Sequence, residues 1–82
     1  MIRIETKTND EFTVKLGEKE YNVSLDDKYW QELTGGKISK EELIKNSFDF
    51  LLERESKESI LSRFDLRMIS RYFPEYEQEI KK

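Results

Sequence analysis

Three kinds of residue in this chain could carry chemistry: paired carboxylates, a glycine-lysine turn and a short run of arginines. The sequence has no histidine and no cysteine. That removes the usual near-neutral acid/base, the commonest metal ligand, thiolate nucleophiles and disulfides. Thr34-Gly35-Gly36-Lys37 has the parts of a phosphate turn, in which backbone N–H groups and a lysine cradle an anion ahead of a helix. Its spacing fails, because Gln31 stands where the first glycine belongs, Ile38 replaces the magnesium-binding hydroxyl, and Glu41 and Glu42 would repel phosphate. The glycines are better read as a helix stop. Asp26-Asp27 and Glu41-Glu42 could ligate a hard cation or work as an acid/base pair. Adjacent residues do not face each other on a helix, neither pair has calcium-loop spacing, and carboxylates are expected at helix N-termini for dipole reasons alone. No catalytic residue, cofactor site or metal site is assigned, and a non-enzymatic protein is expected.

The arginines are more informative. From Ser56 to Phe73 the chain carries Lys57, Arg63, Arg67 and Arg71 against Glu58 and Asp65, a local +2 in a chain of net charge −3. Arg67 and Arg71 are one helical turn apart, opposite Leu66, Ile69 and Phe73, and Arg63 extends the stripe if the helix runs through Asp65. Such a face can meet phosphates, an acidic partner or the protein's own glutamates. Tyr72 and Tyr76 add amphipathic rings of the kind favoured at interfaces, although aromatic residues default to the core. Arg63, Arg67, Arg71, Tyr72 and Tyr76 are therefore the candidate partner-binding residues.

The elements that must position these residues follow from periodicity. Apolar residues alternate through Ile2, Ile4 and Thr6, through Phe12, Val14 and Leu16, and through Tyr21, Val23 and Leu25. Asn9-Asp10 and Gly17-Glu18 separate the runs, so a three-stranded antiparallel meander is predicted over residues 1–25. Asp26 or Asp27 caps a short helix carrying Tyr29, Trp30 and Leu33, which Gly35-Gly36 stops. Ser39 and Glu42 form a capping box, with Ile38 and Leu43 as its staple, and start a helix at Lys40 that runs to about Glu55. Its apolar residues Leu43, Ile44, Phe48, Phe50, Leu51 and Leu52 span about 200° of the circumference at 100° per residue. One sheet cannot bury that arc, so the helix must also pack on the C-terminal segment or on a second subunit. Beyond it, Ser56 or Ser59 caps a turn carrying Ile60, Leu61 and Phe64, Asp65 recaps a helix through Phe73, and Pro74 opens a last helix ending at Lys81-Lys82.

These elements make one small α+β domain of 82 residues, a meander followed by three to five helices (residues 26–82) around one central amphipathic helix. The charged fraction, 40%, would suit disorder, but ten periodically placed aromatic residues imply a core. The longest apolar run, Phe50-Leu51-Leu52, is far too short to span a membrane, and charges at Arg3 and Glu5 interrupt any signal-peptide core. A soluble, cytoplasmic, unprocessed protein is expected.

Residues Tyr21 to Glu55 resemble the ribbon-helix-helix family: a strand Asn22-Val23-Ser24-Leu25, a helix, then Gly36-Lys37-Ile38-Ser39 leading into Glu42-Leu43-Ile44 and a second helix ending Phe50-Leu51-Leu52-Glu53. The resemblance implies a dimer whose paired strands lie in the DNA major groove, with Glu20, Asn22 and Ser24 as the reading positions. The C-terminal half, from Ser47 through Glu77, is also similar to short prokaryotic reading frames of unknown function. Eight acidic residues against five basic ones between 26 and 55 work against phosphate affinity. A self-associating or protein-binding module is therefore the leading expectation, with a homo-oligomer or an unspecified protein as partner. A ribbon-helix-helix-like DNA-binding regulator or antitoxin is the alternative.

Overall fold

A computed structural model describes residues 2–81; Met1, predicted to begin the first strand run, and Lys82, predicted to end the last helix, lie outside the described residues. The alternating N-terminal segment forms β1 (Ile2–Thr6), β2 (Glu11–Leu16) and β3 (Lys19–Ser24), paired antiparallel in an unbroken register from Ile2↔Leu16 to Thr6↔Phe12 and from Leu16↔Lys19 to Glu11↔Ser24. Gly17, at φ 63°, opens the second hairpin turn, where a side chain would oppose the backbone twist that the turn requires. Phe12, Val14, Tyr21, Val23 and Leu25 face the core, while Glu5 and Glu20 are exposed on the other face.

Both predicted caps are present. Asp26 accepts a hydrogen bond from the Tyr29 N–H at 2.8 Å and starts α1 (Asp27–Thr34), which ends on Gly35 in the left-handed conformation. Ser39 accepts from the Glu42 N–H at 3.1 Å and starts α2 (Lys40–Arg54). Between them the Trp30 indole donates to the Ile38 carbonyl at 2.7 Å, which fixes the corner between the helices.

The sheet corrects the sequence-based fold. Among the described residues it has four strands, not three, in the order β1-β2-β3-β4, and β4 (Arg63–Asp65) runs parallel to β3. Phe64, expected on a helical turn, is instead the inward residue of this strand, opposite Val23. The bonds that recruit it are Asn22 N–H to Ser62 O (2.7 Å), Leu66 N–H to Ser24 O (2.9 Å) and Ser24 Oγ to Asp65 (2.8 Å). Asp65 does not start a helix directly; it accepts the Arg67 N–H at 2.9 Å and turns the chain into α3 (Met68–Tyr72). Pro74 precedes α4 (Tyr76–Ile80) by two residues and does not open it.

The central position of α2 follows from its two apolar sides. Phe48 points to the sheet, with ring centroids 5.2 Å from Tyr21 and 6.1 Å from Phe64. Phe50, two positions on and so roughly 200° round the helix, meets Phe73 at 5.9 Å and Tyr76 at 5.2 Å. The C-terminal helices thus cover the side that the sheet cannot reach. Among the apolar residues of the arc only Leu52 is left partly exposed, so an uncovered central helix is not available to drive association. Among the described residues no helix is long and apolar enough to cross a membrane.

Candidate functional site

The residues singled out for chemistry are used in holding the fold together. Asp26 caps α1 and also receives Arg67, whose Nη2 lies 3.0 Å from Oδ1 and 2.9 Å from Oδ2. The Tyr29 N–H, and then Arg67, hold the Asp26 carboxyl below the usual carboxylate range, and Asp26 in return raises the arginine. Asp27 turns the other way, to Lys40 at 2.6 Å, and this contact lowers its carboxyl as well. Lys40 is the surprise of the sequence reading: at only 9% exposure its ammonium is ringed by Asp27, the Asn9 carbonyl (2.8 Å) and Asp10 (3.5 Å), and it joins the β1–β2 loop to both helix starts. Glu41 accepts from the Thr6 hydroxyl at 2.8 Å. In the glycine turn the Thr34 hydroxyl donates to Trp30 O and accepts from the Gly36 N–H, as a helix stop requires.

The predicted partner-binding set is dispersed. Arg63 lies exposed on the solvent face of β4, Arg67 is tied to Asp26 and Asp65 just ahead of α3, and Arg71 is exposed on α3. The helical stripe through Asp65 is absent because residues 63–65 are strand. Tyr76 is fully buried; its hydroxyl lies 2.6 Å from Ser47 Oγ, which donates to the Leu43 carbonyl. Burial raises its phenol well above the usual value, and burial and then Glu77, at 2.9 Å, do the same to Tyr29. Tyr72, by contrast, is 63% exposed.

Tyr72 stands at an apolar groove that no motif announced. The C-terminal end of α2 (Leu51, Glu55), the loop through Ile60 and Leu61, Phe64 of β4 and Met68, Ile69 and Phe73 around α3 enclose about 220 Å³. Ile60, Phe64 and Ile69 are buried and form its floor, whereas Leu61, 49% exposed, stands with Tyr72 at the surface. The volume is below the roughly 300 Å³ at which small-molecule pockets begin, and it suits one or two side chains. The sequence places Leu61 on a capped turn with Ile60 and Phe64 and gives no sign of its exposure, and Tyr72 comes from a different element.

The ribbon residues fall elsewhere. Asn22 and Ser24 share the solvent face of the sheet with Arg63, beside Lys7, Glu11 and Asp65, around a depression of about 310 Å³, and Glu20 is exposed two residues before Asn22. Lys7 already donates to Asn22 at 2.6 Å and Ser24 to Asp65 at 2.8 Å. Residues 22–24 of β3 have β2 on one edge and β4 on the other, so that stretch of the strand pairs within the chain. Among the described residues no group of three or more acidic side chains is placed to hold a metal ion. Comparison with protein-family models, curated proteins and solved structures returns no match.

Proposed function

We propose that the chain is a non-enzymatic protein-interaction module, and that its groove receives an apolar side chain from a partner segment that carries carboxylates nearby. The observation that carries this reading is Leu61 and Tyr72 standing exposed beside a buried apolar floor. Single exposed apolar residues are ordinary, but two from different elements around one concavity form a patch that water covers poorly. Tyr72 has the size and amphipathic character of an interface anchor. Arg71, next to it on α3, makes no ion pair among the described residues, and it supplies the positive charge that selects an acidic flank. Selection of a displayed random-peptide library on the immobilised full chain tests this. The expected winners carry an aromatic or leucine anchor beside Asp or Glu, and they lose binding to Tyr72→Ser and Leu61→Ser. Enrichment that is equal on Tyr72→Ser would overturn the proposal.

A second reading, contact with nucleic acid through the sheet, is favoured by the clustering of Asn22, Ser24, Lys7 and Arg63. The carboxylates of Glu11 and Asp65 in the same depression oppose it. It requires duplex binding that falls steeply with salt and that fails on Asn22→Ala. We expect weak or absent binding near physiological salt.

A further inference from the structure

A different surface points to a second copy of this chain. Strand β1 is an edge strand with β2 on one side only. The Lys7 N–H donates to Glu11 O and the Leu25 N–H to Asp10 O. With the alternation of an antiparallel ladder and the unbroken registers, Arg3 and Glu5 turn their backbone groups toward β2, and Ile2, Ile4 and Thr6 turn theirs outward. Proteins usually blunt such an edge with a proline, a bulge or a buried charge. β1 has no proline, no bulge in its register and no charge on its inward side, where Ile2 and Ile4 are half-buried; its charges, Arg3 and Glu5, stand on the solvent face, and the Thr6 hydroxyl donates to Glu41 of α2.

The charges select the partner. Arg3 lies opposite Lys15, a like charge, and makes no ion pair among the described residues, while Lys15 reaches diagonally to Glu5 at 3.4 Å. We propose that two copies associate through β1 about a two-fold axis at Ile4, extending the sheet across the dimer. In that register Ile4 meets Ile4 of the second copy, Ile2 meets Thr6, and Arg3 meets Glu5. All the outward backbone groups of Ile2, Ile4 and Thr6 then pair, giving roughly six hydrogen bonds. Arg3 gains the counter-ion it lacks, in the close, non-hydrogen-bonded type of pair. Moving the axis by one residue opposes Arg3 to Arg3 or Glu5 to Glu5, so the charges allow this register and exclude its neighbours. The contact is self-complementary, as a closed dimer requires. It is separate from the groove and does not rest on the groove's function.

Sedimentation equilibrium of the full chain, with charge exchange, tests it. The unmodified chain is expected to show a concentration-dependent dimer of the 9.9 kDa protomer. Arg3→Glu alone, or Glu5→Arg alone, sets like charges opposite each other twice and should weaken the dimer about tenfold or more. The double exchange Arg3→Glu/Glu5→Arg should restore it, and so should an equimolar mixture of the two single variants, as a heterodimer. In the unmodified chain, hydrogen exchange at the Ile4 amide should slow as concentration rises, whatever the variants do. A single 9.9 kDa species throughout, or a dimer indifferent to both single exchanges, would overturn the proposal. A dimer lost on Tyr72→Ser but kept by the charge variants would also overturn it, and would assign association to the groove.

Discussion

Replacing Asp26 with alanine removes two interactions at once. One is the cap: Asp26 Oδ1 satisfies the Tyr29 N–H at 2.8 Å, and losing a cap of this kind costs about 1 kcal/mol. The other is the ion pair with Arg67, whose side chain is 41% exposed against 42% for Asp26, so solvent screens it to about 0.2–1 kcal/mol. Asp26→Ala should therefore lose about 1–2 kcal/mol, or about 4–16 °C in Tm for a domain of this size. Asp26→Asn keeps a cap oxygen and should lose only the smaller, ionic part. Because folding lowers the Asp26 carboxyl, its contribution is complete above the unfolded value of about 3.9 and is lost as pH falls through the lower folded value. The deficit of Asp26→Asn should accordingly shrink on acidification below about pH 4, while that of Asp26→Ala keeps its capping part. Urea denaturation from neutral pH to about pH 3 measures both, and equal losses for the two variants at neutral pH would refute the division between cap and ion pair.

Other substitutions probe the packing. Leu51→Ala, at a site 5% exposed between sheet and C-terminal helices, should cost about 2–5 kcal/mol in urea unfolding, and exposed Lys45→Ala almost nothing; similar midpoints would contradict the helix orientation. Ser39→Ala should cost about 1 kcal/mol and fray the start of α2 in amide chemical shifts. Tyr76→Phe should cost about 1 kcal/mol, since Ser47 keeps its bond to the Leu43 carbonyl, and a loss beyond about 3 kcal/mol would mean that the buried hydroxyl pair carries more than one hydrogen bond.

What could be read from the sequence was local. The caps at Asp26 and Ser39, the stop at Gly35 and the first two hairpins each depend on residues within a few positions, and all appear where expected. Strand β4 was not legible, because three residues carry no usable period and its stabilising bonds come from β3, some forty residues earlier. The extension of the basic stripe to Arg63 failed for the same reason: with residues 63–65 in a strand, Arg63 shares no helix face with Arg67. Lys40 read as an ordinary first-turn residue, since all three of its acceptors lie at least a dozen positions away. The sequence leaves Tyr76 open between core and partner surface, with core the default, because nothing local shows that Phe50 and Ser47 leave a site for it. The groove depends on where the 56–62 loop and α3 come to rest, and so no single segment encodes it.

Whether the groove between α2, β4 and α3 is where a partner protein binds is best decided by residue-resolved NMR, with a library-selected peptide titrated into the isotopically labelled full chain. The expected shifts concentrate on the amides of Ile60, Leu61, Phe64, Met68, Ile69 and Tyr72 and vanish with Tyr72→Ser, while those of β1 stay in place. Shifts confined to β1 or to the solvent face of the sheet, or a pattern unchanged by Tyr72→Ser, would contradict the assignment.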